Sequence, residues 1–237
     1  MIINAGAARL GLFAVITLAF AAFGWAVRGV TRSGAVAGAI VCFALLAGAG
    51  WTGFAGLCTV FTLTWAATRF GYARKQRLGT AEARSGRTAS QVIANLGVAT
   101  ICAVALSLKQ DLRIFVALGA ALAEAAADTV SSEIGQAIGG TPRLITQWAH
   151  VPPGTDGAVT VAGTAAGIGA AVIVGGVFVF GTPFGWHEFI VCASAGIAGT
   201  LADSLLGATL ERRGLIDNNT VNFLSTLVAS SLAFLIV

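Results

Sequence analysis

Charge is what this sequence has least of. Asp, Glu, Lys and Arg together make up only 10% of its 237 residues, against about 25% in soluble domains. That scarcity excludes an ordinary water-soluble enzyme and leaves no basic face on which to hold nucleic acid. Cysteine is thin as well: Cys42, Cys58, Cys102 and Cys192 fall within apolar runs and show no C-x-x-C spacing. They read as small buried apolar residues, and a disulfide scaffold is excluded. The two histidines, His150 and His187, stand far apart, which removes zinc and haem. Neither G-x-x-x-x-G-K-[ST] nor G-x-S-x-G occurs, so the soluble-type nucleotide loop and the acyl-transfer elbow are missing.

What is present is apolar. Hydrophobic residues make up 57% of the chain, with 31 glycines and a mean hydropathy of +0.86. A membrane-crossing helix needs roughly 20 apolar residues. Runs of that kind are expected near 8–27, 33–50, 52–70, 91–107, 113–137, 158–181, 188–210 and 221–237. The expectation is an all-α, polytopic transmembrane helical bundle of about eight spans, range six to eight, forming one domain over residues 1–237. Arg9 ahead of an apolar stretch imitates a signal peptide, but the run is nearer full spanning length and reads as a helix.

Basic residues orient such a chain, because Lys and Arg in short loops stay on the cytoplasmic side. With eight spans, one side receives Arg28, Arg32, Arg69, Arg74, Lys75, Arg77, Arg84, Arg87, Arg143, Arg212 and Arg213, and the other only Arg9, Lys109 and Arg113. Both termini are then expected outside the cytoplasm of a cell-membrane protein, with a basic cytoplasmic loop at 71–90 and a Gly/Pro-rich cytoplasmic loop at 138–157. The pI of 9.2 becomes a topology signal.

Each ionisable residue inside a membrane costs about 2.5–3.5 kcal/mol on insertion scales and therefore needs a reason. The fifth span holds Glu124 and Asp128, and helical spacing puts both on one face with Ser132 and Gly135. In the seventh span Gly199, Asp203 and Gly207 share a face, with Thr200 and Ser204 beside it. Small residues there let another helix approach closely, but packing does not account for the aspartate. The loop at Val151-Pro-Pro-Gly154-Thr155-Asp156-Gly157 reads as a turn in which Thr155 or Asp156 caps the sixth helix. Backbone N–H groups at Gly154 and Gly157, near a helix start, also suit a phosphate. Gln91, Asn95 and Asn222 carry amides into the starts of two further spans, and Asn218 precedes the last. All of these lie at the cytoplasmic ends of the helices. Carboxylates, hydroxyls and amides beside arginines imply hard-oxygen Mg²⁺ coordination.

Six ordered stretches carry a resemblance: Gln91-Val-Ile-Ala-Asn95, Asp128-Thr-Val-Ser131-Ser132-Glu133-Ile-Gly135, Pro142-Arg143-Leu-Ile-Thr146, Val151 to Gly157, Asp203-Ser204-Leu-Leu-Gly207, and Asn218 to Ser225. Together they resemble the membrane family containing transmembrane protein 19 and plant phytyl-phosphate kinase. A more distant similarity is to CTP-using polyprenol kinases and phosphatidate cytidylyltransferases. The resemblance implies a kinase that transfers the terminal phosphoryl of CTP or another nucleoside triphosphate to a prenyl (phytyl- or geranylgeranyl-type) monophosphate. It implies Asp128, Asp203 and Asp156 for Mg²⁺, and Ser131, Ser132, Glu133, Ser204, Gly154, Thr155 and Gly157 around phosphates. Arg143, Arg74 and Lys75 would meet phosphate charge, and Gln91, Asn95, Asn218 and Asn222 would contact nucleotide or acceptor. Two alternatives stay open: a CTP-dependent cytidylyltransferase acting on a lipid phosphate, and a transporter in which Glu124, Asp128 and Asp203 bind a coupling cation.

Overall fold

The computed structural model describes residues 2–180, 182 and 185–237, with only the backbone path for 2–5, 7, 179 and 180. Apolar runs without helix-breaking prolines give α1 (Ile2–Ala26), α2 (Arg32–Arg69), α4 (Ala89–Leu108), α5 (Leu112–Ile138), α6 (Val161–Phe180), α7 (Trp186–Thr209) and α8 (Asn218–Ile236). A short α3 (Tyr72–Leu78) lies inside the expected basic loop. Among the described residues, seven helices are long and apolar enough to cross a membrane. The expected end of the sixth span at residue 181 lies outside the described residues.

These seven helices nonetheless supply eight segments of spanning length, because α2 reverses. A straight helix of 38 residues would be about 57 Å long, nearly twice the hydrocarbon core. Gly50 breaks it with φ 62° and ψ −146°, a conformation open essentially to glycine alone. The two halves fold back side by side. Trp65 and Arg69, near the end of α2, both donate hydrogen bonds to the Val27 carbonyl, just ahead of its start. Phe20 and Phe23 of α1 pack on Phe61, and Phe13 packs on Trp51. The expected spans 33–50 and 52–70 are therefore the two arms of a hairpin.

Helix α5 stands in the middle. It touches α2, α4, α6, α7 and α8, and these five close a ring around it in the order α2, α4, α8, α7, α6. Helix α1 lies outside the ring against α2. Most of α5 is buried, with a run from Val116 to Ala127 that is rich in alanine. Without a hydrophobic force between helices in lipid, close backbone approach supplies the packing, and glycines on the ring permit it. A methyl added at Gly163 or Gly167 of α6 would come within 2.5 Å of the Ser131 carbonyl or 2.9 Å of the Ala127 carbonyl. A methyl at Gly196 or Gly199 of α7 would meet Ala123 at 2.8 Å or Glu124 at 2.6 Å.

The connections bearing the eleven basic residues all lie at one end of the bundle, and Lys109 and Arg113 flank the α4–α5 turn at the other. At the basic end the 138–157 segment continues into a two-residue antiparallel hairpin, β1 (Arg143–Leu144) with β2 (Ala158–Val159), paired Arg143 to Val159 and Leu144 to Ala158. This pairing delays the start of α6. Its cap is Thr160, whose hydroxyl accepts from Gly163 N at 3.0 Å, and not Thr155 or Asp156.

Replacing Gly50 with alanine puts an L side chain where φ is positive and is expected to destabilise the protein by about 1–3 kcal/mol. Gly169→Ala, at a helical position with nothing within 4 Å of the added methyl, is expected to be neutral or stabilising by up to about 1 kcal/mol. Thermal unfolding in detergent compares the two, and equal stability of both variants would contradict the hairpin at Gly50.

Candidate functional site

A polar cavity of about 280 Å³ opens at the basic end of the ring. By helical rise, Asp203 lies about 9 Å before the end of α7, Asn95 about 9 Å into α4, and Asn222 about 6 Å into α8. Asp128, ten residues before the end of α5, reaches the same level because α5 extends beyond its neighbours. Helices starting and ending at one boundary thus carry their polar residues to a common depth. Sequence-expected residues reached by the cavity are Gln91, Asn95, Asp128, Ser131, Ser132, Glu133, Gly154, Thr155, Asp156, Gly157, Asp203, Ser204, Asn218, Asn222 and Arg74.

Asp203 is held by two side chains of α8. Ser225 Oγ donates to its Oδ2 at 3.3 Å. With its amide oxygen turned to accept from Asn95 Nδ2 at 3.0 Å, Asn222 also donates to Asp203 Oδ2 and to the Asn218 carbonyl, both at 3.3 Å. One amide thereby joins α4, α8 and α7. Asp128 and Asp203 line the same cavity, and two carboxylates near each other repel unless a proton or a cation lies between them. One turn deeper, Glu124 is 1% exposed and its Oε1 has no partner among the described residues. Gln136 Oε1, on the cavity wall, is likewise unpartnered.

The hairpin forms the outer rim. Gly157, at φ 71°, packs backbone to backbone on α7, and a methyl there would collide with Ser204 and Ala208. Reciprocally, a methyl at Gly207 would lie 2.8 Å from Gly157 N. Asp156 is thereby fixed beside the end of α7. Across the mouth, Asp217 caps α8: the Thr220 hydroxyl and backbone N–H donate to it at 2.6 and 2.9 Å and hold its carboxyl below the usual carboxylate range.

Two expected phosphate contacts are placed elsewhere. Lys75 is fully buried, and its ammonium donates to the Ala67 carbonyl at 3.0 Å, the Thr68 carbonyl at 2.7 Å and Glu133 Oε2. All three of its donors are engaged, so Lys75 anchors α3 to α2 and α5, with Glu133 as its counter-ion. Arg143 donates to the Trp148 carbonyl at 2.9 Å inside the hairpin. Gln91 reaches the wall but closes a capping box, its Oε1 accepting from Thr88 N at 2.8 Å, while its Nε2 approaches Glu82 at 3.3 Å. Arg87 lines the cavity and was not among the expected site residues. The signal for it was the capping box Thr88-Ala-Ser-Gln91, which fixes the start of α4 and puts Arg87 immediately ahead of it, level with the amides.

The donor set is carboxylate, amide, hydroxyl and carbonyl oxygen, the chemistry of Mg²⁺ and not of zinc or copper. Among the described residues, no three His, Cys, Asp or Glu side chains converge closely enough to cage a metal alone. Mg²⁺ sites seldom need such a cage, since one or two carboxylates plus phosphate oxygens and water suffice. Asp128 and Asp203, lining one cavity, fit that requirement.

Lys75→Met is expected to lower stability by on the order of 3 kcal/mol by leaving Glu133 without its counter-ion, and Lys75→Met with Glu133→Leu to recover most of the loss. Unfolding in detergent measures both. A double variant no better than the single would refute the anchoring role of the pair.

The integral membrane family described as DUF92 matches residues 15–230. An uncharacterised membrane protein of Methanocaldococcus jannaschii is 35% identical over 211 residues, covering 88% of this chain and 86% of its own. From Arabidopsis thaliana, the chloroplastic protein VTE6 is 31% identical over 225 residues, covering 88% and 66%. Protein PGR from the same plant is 31% identical over 272 residues, covering 93% and 94%. No solved structure gives a significant match. By the family match and these relatives, the chain belongs to the DUF92 family of integral membrane proteins.

Proposed function

We propose that the protein is a membrane kinase that transfers the terminal phosphoryl group of CTP or another nucleoside triphosphate to a prenyl monophosphate of phytyl or geranylgeranyl type. One observation carries this reading: Asp128, Asp203 and Asp156, with serines, glycines and arginines around them, meet in one polar cavity at a membrane boundary. That location suits a reaction between a water-borne nucleotide and an acceptor whose tail stays in lipid. The relationship to VTE6 and the motif resemblance to phytyl-phosphate kinase support it.

Phosphoryl transfer requires positioning and charge neutralisation more than covalent help from the protein. An oxygen of the acceptor phosphate attacks the γ-phosphorus, the bond from that phosphorus to the β–γ bridging oxygen breaks, and the nucleoside diphosphate leaves with the electron pair. A phosphate monoester is already anionic near neutral pH, so no general base is required. Asp128 and Asp203, with Asp156 on the rim, would hold Mg²⁺, which supplies positive charge to the phosphate oxygens. Ser131, Ser132, Ser204, Thr155 and the turn at Gly154 and Gly157 would receive phosphates, and Arg74 would add charge from the side of Gly139. Asn95, Asn218 and Asn222 would orient the carboxylates and the nucleotide.

The test is purified protein in detergent with Mg²⁺, a panel of nucleoside triphosphates, and phytyl, geranylgeranyl and farnesyl monophosphates. The expected products are nucleoside diphosphate and lipid diphosphate. CDP-lipid with pyrophosphate would replace the kinase with a cytidylyltransferase, and no product from any pair would overturn the enzyme reading. Asp128→Asn and Asp203→Asn are each expected to lower kcat by about 10²-fold or more with unchanged expression, and EDTA to abolish turnover until Mg²⁺ is restored. Full rate in both variants would remove the assigned metal site.

A further inference from the structure

A second cavity, of about 290 Å³, adjoins the polar one. Its body is apolar and lies within the membrane-spanning part of the bundle, between α1, the two arms of the α2 hairpin and α4, with Phe20, Gly38, Leu57, Val60, Phe61 and Val92 on its walls. Its other end is basic: Arg28, Arg69, Arg84 and Arg87 stand there against the single carboxylate of Glu82. Glu82, Arg87, Gln91 and Asn95 line both cavities. The two spaces therefore meet at one partition, apolar and cation-rimmed on one side, polar and carboxylate-lined on the other.

Arg87 stands in that partition and is held rigidly there. Its backbone N donates to the Gly29 carbonyl at 3.1 Å, and its carbonyl accepts from Thr31 N at 2.9 Å and from the Thr31 hydroxyl at 3.3 Å. The preceding Gly86 has φ 87°, and a methyl on it would lie 2.6 Å from Val30 N. The guanidinium has a neutral partner, Thr129 Oγ1 at 3.2 Å. It makes no direct ion pair among the described residues, although Asp128 lies within its field. A fixed guanidinium between an apolar chamber and a group of carboxylates matches a molecule with a hydrocarbon chain on one side and an anionic phosphate on the other. The chamber lies at the small end of ligand pockets, about 300–1,000 Å³, and so suits one chain and not the two of a diacyl lipid.

Resting on the kinase reading above, we propose that this chamber is the tail site of a single-chain lipid monophosphate and that Arg87 grips its phosphate at the partition. Seated so, the phosphate faces the polar cavity while the tail is enclosed by α1 and the α2 hairpin. Gly38 offers a way to fill the chamber, because a methyl added there meets nothing within 4 Å and a larger side chain extends from a Gly on the chamber wall.

The experiment uses farnesyl monophosphate with a diazirine on its terminal isoprene, photolysed with the full chain in nanodiscs, and phosphoryl transfer to the same probe measured in parallel. Adducts are expected on the α2 hairpin and α1. They should fall about tenfold or more in Gly38→Trp, checked for an unchanged melting temperature, and by a similar factor in Arg87→Ala, with partial recovery in Arg87→Lys. A phosphate-free farnesol probe should label about tenfold less than the phosphate probe, and equal labelling would overturn the role of Arg87. Adducts in the chamber without transfer from any nucleotide would uphold the tail site and defeat the kinase reading. Transfer with adducts confined to other helices, or unaffected by Gly38→Trp, would do the reverse. No adducts and no transfer would overturn both.

Discussion

Enclosure of α5 is the constraint on which the rest of the structure depends. A helix carrying Glu124 and Asp128 into the membrane cannot face lipid, where each charge costs several kcal/mol, so it is surrounded on every side. Encirclement needs helices that come very close, and closeness needs small residues. Alanines on α5 meet glycines on α6 and α7, which brings the carbonyls of Ala127 and Ser131 against the backbone of α6. The composition, rich in Gly and Ala and poor in charge, is the chemical form of that requirement.

Polarity then collects at one end. Within the ring, polar side chains on α7, α8 and α4 satisfy one another: Asn222 and Ser225 hold Asp203, and Asn95 holds Asn222. Outside it, the connecting segments between the long helices form a frame. The hairpin locks on α7 through Gly157 and Gly207, the Lys75–Glu133 pair pins α3 to α5, and the 86–87 segment is stitched to the 29–31 turn. Function at such a site depends on carboxylates that are both buried and reachable, and the frame holds the mouth open around them.

Much of this was legible in the sequence. The spans follow from apolar runs, and the shared depth of the polar residues follows from helices that begin or end at one boundary, so Asp128, Asp203, Asn95 and Asn222 could be placed together before any coordinates. The partners of Lys75 and Arg143 could not. Lys75 meets Glu133 across 58 positions of chain, a contact fixed by how α3 lies on α5 and not by local spacing. Arg143 turns into its own hairpin because β1 and β2 pair, and two-residue strands leave no periodic signal. Arg87 was hidden for another reason: it is one of several basic residues in a row, and only its position in the fold distinguishes it from the charges that orient the chain.

The order of the ring differs from the order of the chain. Helix α8 closes the circle between α4 and α7, yet it follows both of them, and α5, in sequence. During synthesis from the N-terminus, Asp128 and Asp203 therefore enter the membrane before the helix that supplies Asn222 and Ser225 exists. Until that helix arrives the carboxylates have an open seam beside them. The finished site is thus complete only once α8 has packed between α4 and α7.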